Sequence, residues 1–473
     1  MFRCKCLLVF VIAVCSNSAV LAKGEPQPQT DQKVTLDVSL SSPVMLADKK
    51  RTTYVKVGLT GFALPNSEDR PPVNIAIVID KSGSMTGRKI EKAKEAAIAA
   101  IHRLRSSDIV SVVVYDQGVQ VVVPATRLTD KEDAIAKIRQ ISAGGSTALF
   151  AGVSKGSAEV RKFLDRDKVN RVILLSDGQA NVGPESPSEL GDLGASLLKE
   201  KIAVTTLGLG LDYNEDLMTQ LAVKSNGNHL FIENADELMA IFDYEFNDVL
   251  SVVAQEIVIQ VRIPEGVRPV RVLGHDAEIQ GQEVMIQLNQ LYAEQERFVL
   301  LEVEVPATAE SATRVVANVD ISYANMLSKE TDRLSTFAAV TFTKDAQQTK
   351  ATQNRDVIEK WVLLFANEQN RLATRLRDEG RVDDARRLLL SNSDYLSTNA
   401  IELGSEVLRV QRDLNYRQSQ VIDDKNWKKT RKLMRRDNAA VEQQTPGSQA
   451  KGEKGSMGGM GGFGGGFFGG YGK

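Results

Sequence analysis

The fold is decided by VNIAIVIDKSGSM, residues 73–85. The run VNIAIVID is apolar and β-branched almost throughout, as in a strand covered on both faces, and it ends on an aspartate followed by a Ser-Gly-Ser turn. Helical spacing begins at once over 89–104 (KIEKAKEAAIAAIHRL). Strand patterns follow at 109–115 and 119–123, helices at 130–141 and 147–164, and a strand at 171–176. A helix at 186–200, a strand at 202–209, a helix near 214–224, a strand at 229–232 and a helix over 235–250 continue the alternation. This order predicts an α/β domain over 73–250 built on a doubly wound, mostly parallel sheet.

On either side the period changes to that of half-buried strands. VTLDVSL (34–40) and TYVKVGL (53–59) alternate apolar with polar residues, and the segment 34–62 is closed by the turn-rich ALPNSEDRPP at 63–72. Between 255 and 345 six further short runs read as an all-β, sandwich-like domain. Two strands cannot close a sheet alone, so the strands at 34–60 are expected to pair with those of 255–343, which makes the α/β domain an insertion. Residues 351–437 return to helical spacing, with Val357, Trp361, Leu364, Leu372 and Leu376 on one stripe before Gly380, and predict a helical hairpin packed on the body. The final segment, 438–473, is expected to be disordered: twelve glycines stand among its last 23 residues, with only isolated aromatics.

The first 22 residues pair a short basic start (Arg3, Lys5) with the apolar run 7–14 and small residues at Val20 and Ala22, a signal-peptide pattern that predicts export. A polar linker, 23–33, follows. A second reading, lipid attachment at Cys15, rests on Ile12-Ala13-Val14-Cys15, where Val14 departs from the usual small residue. All three cysteines lie in the first fifteen residues, so a cleaved chain would have none. Elsewhere no stretch reaches the roughly 18 apolar residues of a spanning helix, and any membrane contact is peripheral or partner-mediated.

Composition narrows the chemistry. The 59 basic and 61 acidic residues leave a net charge of −2, which argues against a nucleic-acid partner. The only local exception is KNWKKTRKLMRR at 425–436, read either as a grip on an anionic surface or as a solvated helix face. His102, His229 and His275 are the only histidines, too few and too scattered for imidazole catalysis or a zinc site. No catalytic residue is assigned, and a metal-dependent hydrolase is disfavoured because no base accompanies the motifs.

Asp80, Ser82 and Ser84 can turn three oxygens toward one point where the chain leaves its strand, the edge at which open α/β sheets bind ligands. Gly144-Gly145-Ser146-Thr147 and Ser176-Asp177-Gly178 fall in loops at the same edge. Hard oxygen donors suit Mg²⁺ or Mn²⁺, with Ca²⁺ as the third candidate. A lone Asp-x-Ser-x-Ser can also be a helix cap, but with the distant Thr147 and Asp177 the pattern resembles a von Willebrand factor type A domain carrying a complete metal-ion-dependent adhesion site. Ser146 is the weaker neighbour of Thr147, to which the family's Gly-x-Thr step points.

The resemblance implies that Ser82 and Ser84 hold the ion directly, that Asp80, Thr147 and Asp177 do so directly or through water, and that an Asp or Glu of a protein partner supplies the last ligand. The overall plan is similar to bacterial exported proteins labelled calcium-activated chloride-channel homologues and, more loosely, to inter-α-trypsin-inhibitor heavy chains. It implies a non-enzymatic, adhesion-type binding protein outside the cytoplasm (secreted, periplasmic or at the cell surface). The second class is a scaffold or accessory subunit of an envelope or membrane complex, with the metal as a regulatory contact.

Overall fold

The computed structural model describes residues 32–444, apart from 66–68, 179 and 424–426. The signal peptide, most of the linker, Cys15 and the glycine-rich stretch 445–473 lie outside the described residues.

The chain opens with β1 (Thr35–Leu40), β2 (Val44–Leu46) and β3 (Arg51–Thr60). It then enters the α/β unit: β4 (Val73–Asp80), α1 (Arg88–Arg103), β5 (Ile109–Tyr115), β6 (Val119–Arg127), α2 (Lys131–Arg139), α3 (Leu149–Arg161), β7 (Val169–Ser176), α4 (Pro187–Lys199), β8 (Ala203–Leu209), α5 (Glu215–Lys224), β9 (His229–Ile232) and α6 (Leu238–Leu250). The sheet order is β6-β5-β4-β7-β8-β9, parallel except for the edge strand β6. β4, β5, β7 and β8 are buried along their whole length because both faces are covered. Ile75, Ile77 and Ile79 pack with α1, α2 and α6 on one face, and Ala76 and Val78 with α3, α4 and α5 on the other.

The remaining strands are β10 (Val252–Arg262), β11 (Arg268–Leu273), β12 (Ala277–Gln280), β13 (Glu283–Tyr292), β14 (Glu296–Val305), β15 (Thr313–Asn325) and β16 (Thr331–Thr343). They join β1–β3 in two sheets, β1-β3-β14-β11 and β12-β13-β10-β15-β16-β2. The ten residues of β3 pair antiparallel with β14, Arg51 opposite Val305 and Thr60 opposite Glu296. The α/β unit is therefore inserted into a β-sandwich, whose core joins Val55, Val57 and Leu59 of one sheet to Ile257, Ile259 and Val261 of the other. The short strands β2 and β12 carry too few residues to show a period in the sequence.

The C-terminal region departs from a hairpin. After the short α7 (Ala346–Ala351) come four long helices: α8 (Arg355–Asp378), α9 (Val382–Leu403), α10 (Glu406–Val421) and α11 (Trp427–Gln443). The helical segment also runs past 437, through the first six residues assigned above to a disordered end. The apolar stripe on α8 holds at Val357, Trp361 and Leu364, where Trp361 stacks on Tyr54 of β3 at 3.7 Å and packs with Leu273 and Leu300, but Leu372 is 39% exposed and lies off it. The later helices bury Asn392, Ser393, Asn415, Gln418 and Ser419 among Ala385, Leu389, Leu396 and Leu408, so amides and hydroxyls interrupt the apolar period of their inward faces. Among the described residues, no helix is long and apolar enough to cross a membrane.

Candidate functional site

Strand register brings the site together. Asp80 lies opposite Tyr115 of β5, Ile79 opposite Leu175 of β7, and Ser176 opposite Gly208 of β8, so β4 and β7 release their terminal carboxylates at one edge. Asp80, Ser82, Thr147 and Asp177 are buried and Ser84 is exposed. After Ser82 a single 3-10 turn over Gly83–Met85 is pinned by the wholly buried Met85, and Gly87, at φ +83°, turns the chain into α1.

Three loops are laced to one another through the backbone. The Gly83 amide donates to the Gly145 carbonyl at 2.9 Å, and the Gly144 amide donates to the Lys81 carbonyl at 2.6 Å. The Asn181 amide donates to the Thr147 carbonyl at 3.1 Å, while its side-chain Oδ1 accepts from the Thr147 amide at 2.8 Å. Gly145 sits at φ +91°, and a Cβ there would lie 1.9 Å from Oε1 of Gln117, so only glycine fits this approach. Ser146 is exposed, with its amide donating to Gln117.

The side chains form one continuous polar chain. The Ser82 amide donates to Asp80 Oδ1 at 2.8 Å, the Ser82 and Ser84 hydroxyls meet at 3.0 Å, and Ser84 donates to Asp177 Oδ1 at 2.7 Å. The other Asp80 oxygen accepts from Ser176 at 2.7 Å and from the Tyr115 hydroxyl at 3.4 Å. The ammonium of Lys89 pairs with Asp177 Oδ2. Burial pushes the Asp80 carboxyl up; the hydrogen bonds from Ser82 and Ser176 pull it down, and the charge of Asp177 raises it again. A Cβ on Gly178 would sit 3.0 Å from Thr147 Oγ1 and 3.4 Å from Asp80 Oδ2, so the glycine keeps open the space between these two oxygens. Asp80, Ser82, Ser84 and Asp177 are thus joined by hydrogen bonds, and Thr147 stands beside Asp80 across the space at Gly178.

Ser176, Tyr115, Lys89 and Asn181 were not singled out in the sequence. Ser176 carried a signal, since it precedes Asp177 at the end of the same strand, but the other three reach the site only through tertiary packing. Two carboxylates and three hydroxyls form a hard-donor set that fits Mg²⁺, Mn²⁺ or Ca²⁺. Among the described residues no three His, Cys, Asp or Glu gather in a way that could hold a metal, which sets this hydroxyl-rich cluster apart from an imidazole or thiolate site.

The basic segment is only in part the solvated face read from its sequence, since Lys428 and Lys429 stay 56% and 43% exposed while Lys432 is buried. Lys428 pairs with Asp212, Lys429 with Glu233, Lys432 with Glu215, and Arg431 with Glu215, Asp216 and Asp378. α11 is thereby riveted to the α/β domain at the loops after β8 and β9. Lys425 lies outside the described residues.

Comparison with known proteins agrees with this fold. Residues 74–243 match the von Willebrand factor type A domain family. An uncharacterised protein of Synechocystis is 29% identical over 56% of this chain and 65% of its own length. Human inter-alpha-trypsin inhibitor heavy chain H3 is 26% identical over 42% of this chain and 22% of its own. The chain thus spans less than two thirds of these curated relatives. The solved von Willebrand factor type A protein from Catenulispora acidiphila shares the fold at 17% identity, with a TM-score of 0.66 over 80% of this chain and 91% of that one. The inserted α/β unit, residues 74–243, is a von Willebrand factor type A domain.

Proposed function

We propose that this protein binds a protein partner through a divalent cation held by Asp80, Ser82, Ser84, Thr147 and Asp177, and that an Asp or Glu carboxylate of the partner completes the ion's shell. Domains of this family commonly mediate protein–protein interaction and adhesion. The observation that carries the metal reading is the unbroken oxygen chain Ser82–Ser84–Asp177 beside the buried Asp80, opening to solvent at Ser84. With neutral hydroxyls making up most of the donors, a bound ion keeps enough positive charge to attract an external carboxylate. Lys89 pairs with Asp177, so an ion entering the site displaces that ammonium from the carboxylate. The basic, apolar N-terminal pattern supports a location outside the cytoplasm.

The experiment is binding of an aspartate-bearing peptide library to the full chain in Mg²⁺, in EDTA, and in the Asp80→Ala variant. Capture that needs Mg²⁺ and Asp80 supports the reading. Capture indifferent to both would favour the scaffold role, to which the riveting of α11 onto the α/β domain lends weight.

A further inference from the structure

A second place in the molecule has unmet polar chemistry. At the end of the α/β sheet opposite the metal loops, a cleft of about 430 Å³ opens between the C-terminal end of α5, the β12–β13 edge of the sandwich and the last turn of α11. Four side-chain nitrogens of residues lining it are buried and have no hydrogen-bond partner among the described residues: Asn289 Nδ2, Gln290 Nε2, Arg297 Nε and His275 Nε2. Asn289 and Gln290 are only 3% and 4% exposed. The side chain of Gln290 alternates with that of Asn289 along β13 and is taken up by the Arg171 guanidinium, which leaves Asn289 as the amide on the cleft face. A buried donor left unmet is costly, and those of Asn289 and Arg297, on residues lining one cleft, point to something that supplies acceptors.

Glu442 brings the opposite charge to the same cleft. It has one salt-bridge partner, Arg371, and burial holds its carboxyl above the usual range. Lys224 and Asp276 close an ion pair at 2.6 Å between α5 and the β11–β12 connection, tying two of the walls together. The lining carries two basic and three acidic side chains, a balance that disfavours a polyanion such as a phosphate ester. Donors together with a carboxylate short of cations fit a ligand with both signs of charge, and the volume suits a small molecule.

We propose that this cleft is a second binding site, for a small zwitterion of the amino-acid or dipeptide class, with its carboxylate on Asn289 and Arg297 and its ammonium toward Glu442. The site is independent of the metal loops. Its test is calorimetric titration of the full chain with glycine, alanine, glutamine and diglycine, against acetate, methylammonium and phosphate as partial ligands. At least one zwitterion should bind saturably at one site per chain, with the partial ligands and the Asn289→Asp and Glu442→Gln variants about tenfold weaker or more, the loss of one charge-assisted contact. EDTA and Asp80→Ala should leave this binding unchanged, which separates it from the metal reading. Met285, on the wall and 40% exposed, gives a second variant: Met285→Trp fills the cleft from the surface and should abolish binding even where Asn289→Asp fails to fold. Absence of saturable binding by every zwitterion, equal binding of acetate or phosphate, or retained affinity in Glu442→Gln or Met285→Trp would overturn the proposal.

Discussion

Replacing Arg171 by methionine tests how the inserted domain is held on its sandwich. Arg171 is wholly buried on β7, and its guanidinium donates to Glu245 of α6 at 2.9 Å, to Thr205 of β8 at 3.3 Å, to the Tyr292 hydroxyl of β13 at 2.9 Å, and to Gln290. One cation therefore ties two strands and the last helix of the α/β domain to the sandwich. Methionine fills much of the volume but leaves Glu245 a buried anion, with only Thr205 and Asn228 as donors. Removing one member of a buried pair costs about 3–5 kcal/mol, which for a domain of this size is a fall in melting temperature of roughly 10 °C. Calorimetry measures the loss, and hydrogen exchange at 290–292 shows whether the seam opens. Adding Glu245→Gln to Arg171→Met should recover part of the loss, because no uncompensated charge remains. A fall below about 1 kcal/mol, or a double variant no better than the single, would refute the reasoning.

Three further outcomes follow from particular contacts. Asp248, beside this cluster, has its carboxyl held up at about 7 by burial first and by the charge of Glu245 second, against the pull of Arg171 and Arg297. The folded form holds that proton more tightly than the unfolded chain, whose carboxyl titrates near 3.8, so this group costs stability as pH rises through 7 and the cost vanishes below about 4. Asp248→Asn should be more stable than wild type at pH 8 in urea unfolding, with a flatter profile between pH 4 and 7; equal stability at pH 8 contradicts it. A Cβ on Gly208 would meet the buried Tyr213 ring at 2.2 Å, so Gly208→Ala should lower stability by about 1–3 kcal/mol, and an unchanged denaturation midpoint would show that the ring yields freely. Gln444 clamps Phe298 of β14 through two hydrogen bonds of 2.7 Å, so a chain ending at Gln444 should melt like the full chain, while one ending at Gln443 loses about 1–2 kcal/mol; indistinguishable melting of the two truncations contradicts the clamp.

The α/β order and the convergence of the Asp80 and Asp177 loops were legible because each rests on a local signal. β4 announces itself by an apolar run covered on both faces, and Asp80 and Asp177 stand where two such runs end. Parallel register then carries their loops to one edge without further information. The sandwich insertion was legible by elimination, since β1 and β3 need partners that only the later strands supply. What stayed hidden depends on the third dimension. Lys89 pairs with Asp177 across 88 residues, and Asn181 cradles Thr147 by hydrogen bonds that no spacing advertises. The four-helix extent of the C-terminal region was masked by buried amides such as Asn392 and Asn415, which read as surface in a sequence. The basic face of α11 looked free because its carboxylate partners, Asp212, Glu215 and Asp216, lie more than 200 residues earlier.

The central claim is that the oxygen cluster at the ends of β4 and β7 holds a divalent cation. Mn²⁺ titration followed by electron paramagnetic resonance, on the full chain and on the Asp80→Ala and Ser84→Ala variants, tests it most directly. The account expects one tightly held ion per wild-type chain, displaced by excess Mg²⁺, and its loss in both variants while cooperative unfolding is kept. A wild-type chain that leaves Mn²⁺ free in solution, or variants that hold the ion as tightly as wild type, would contradict it.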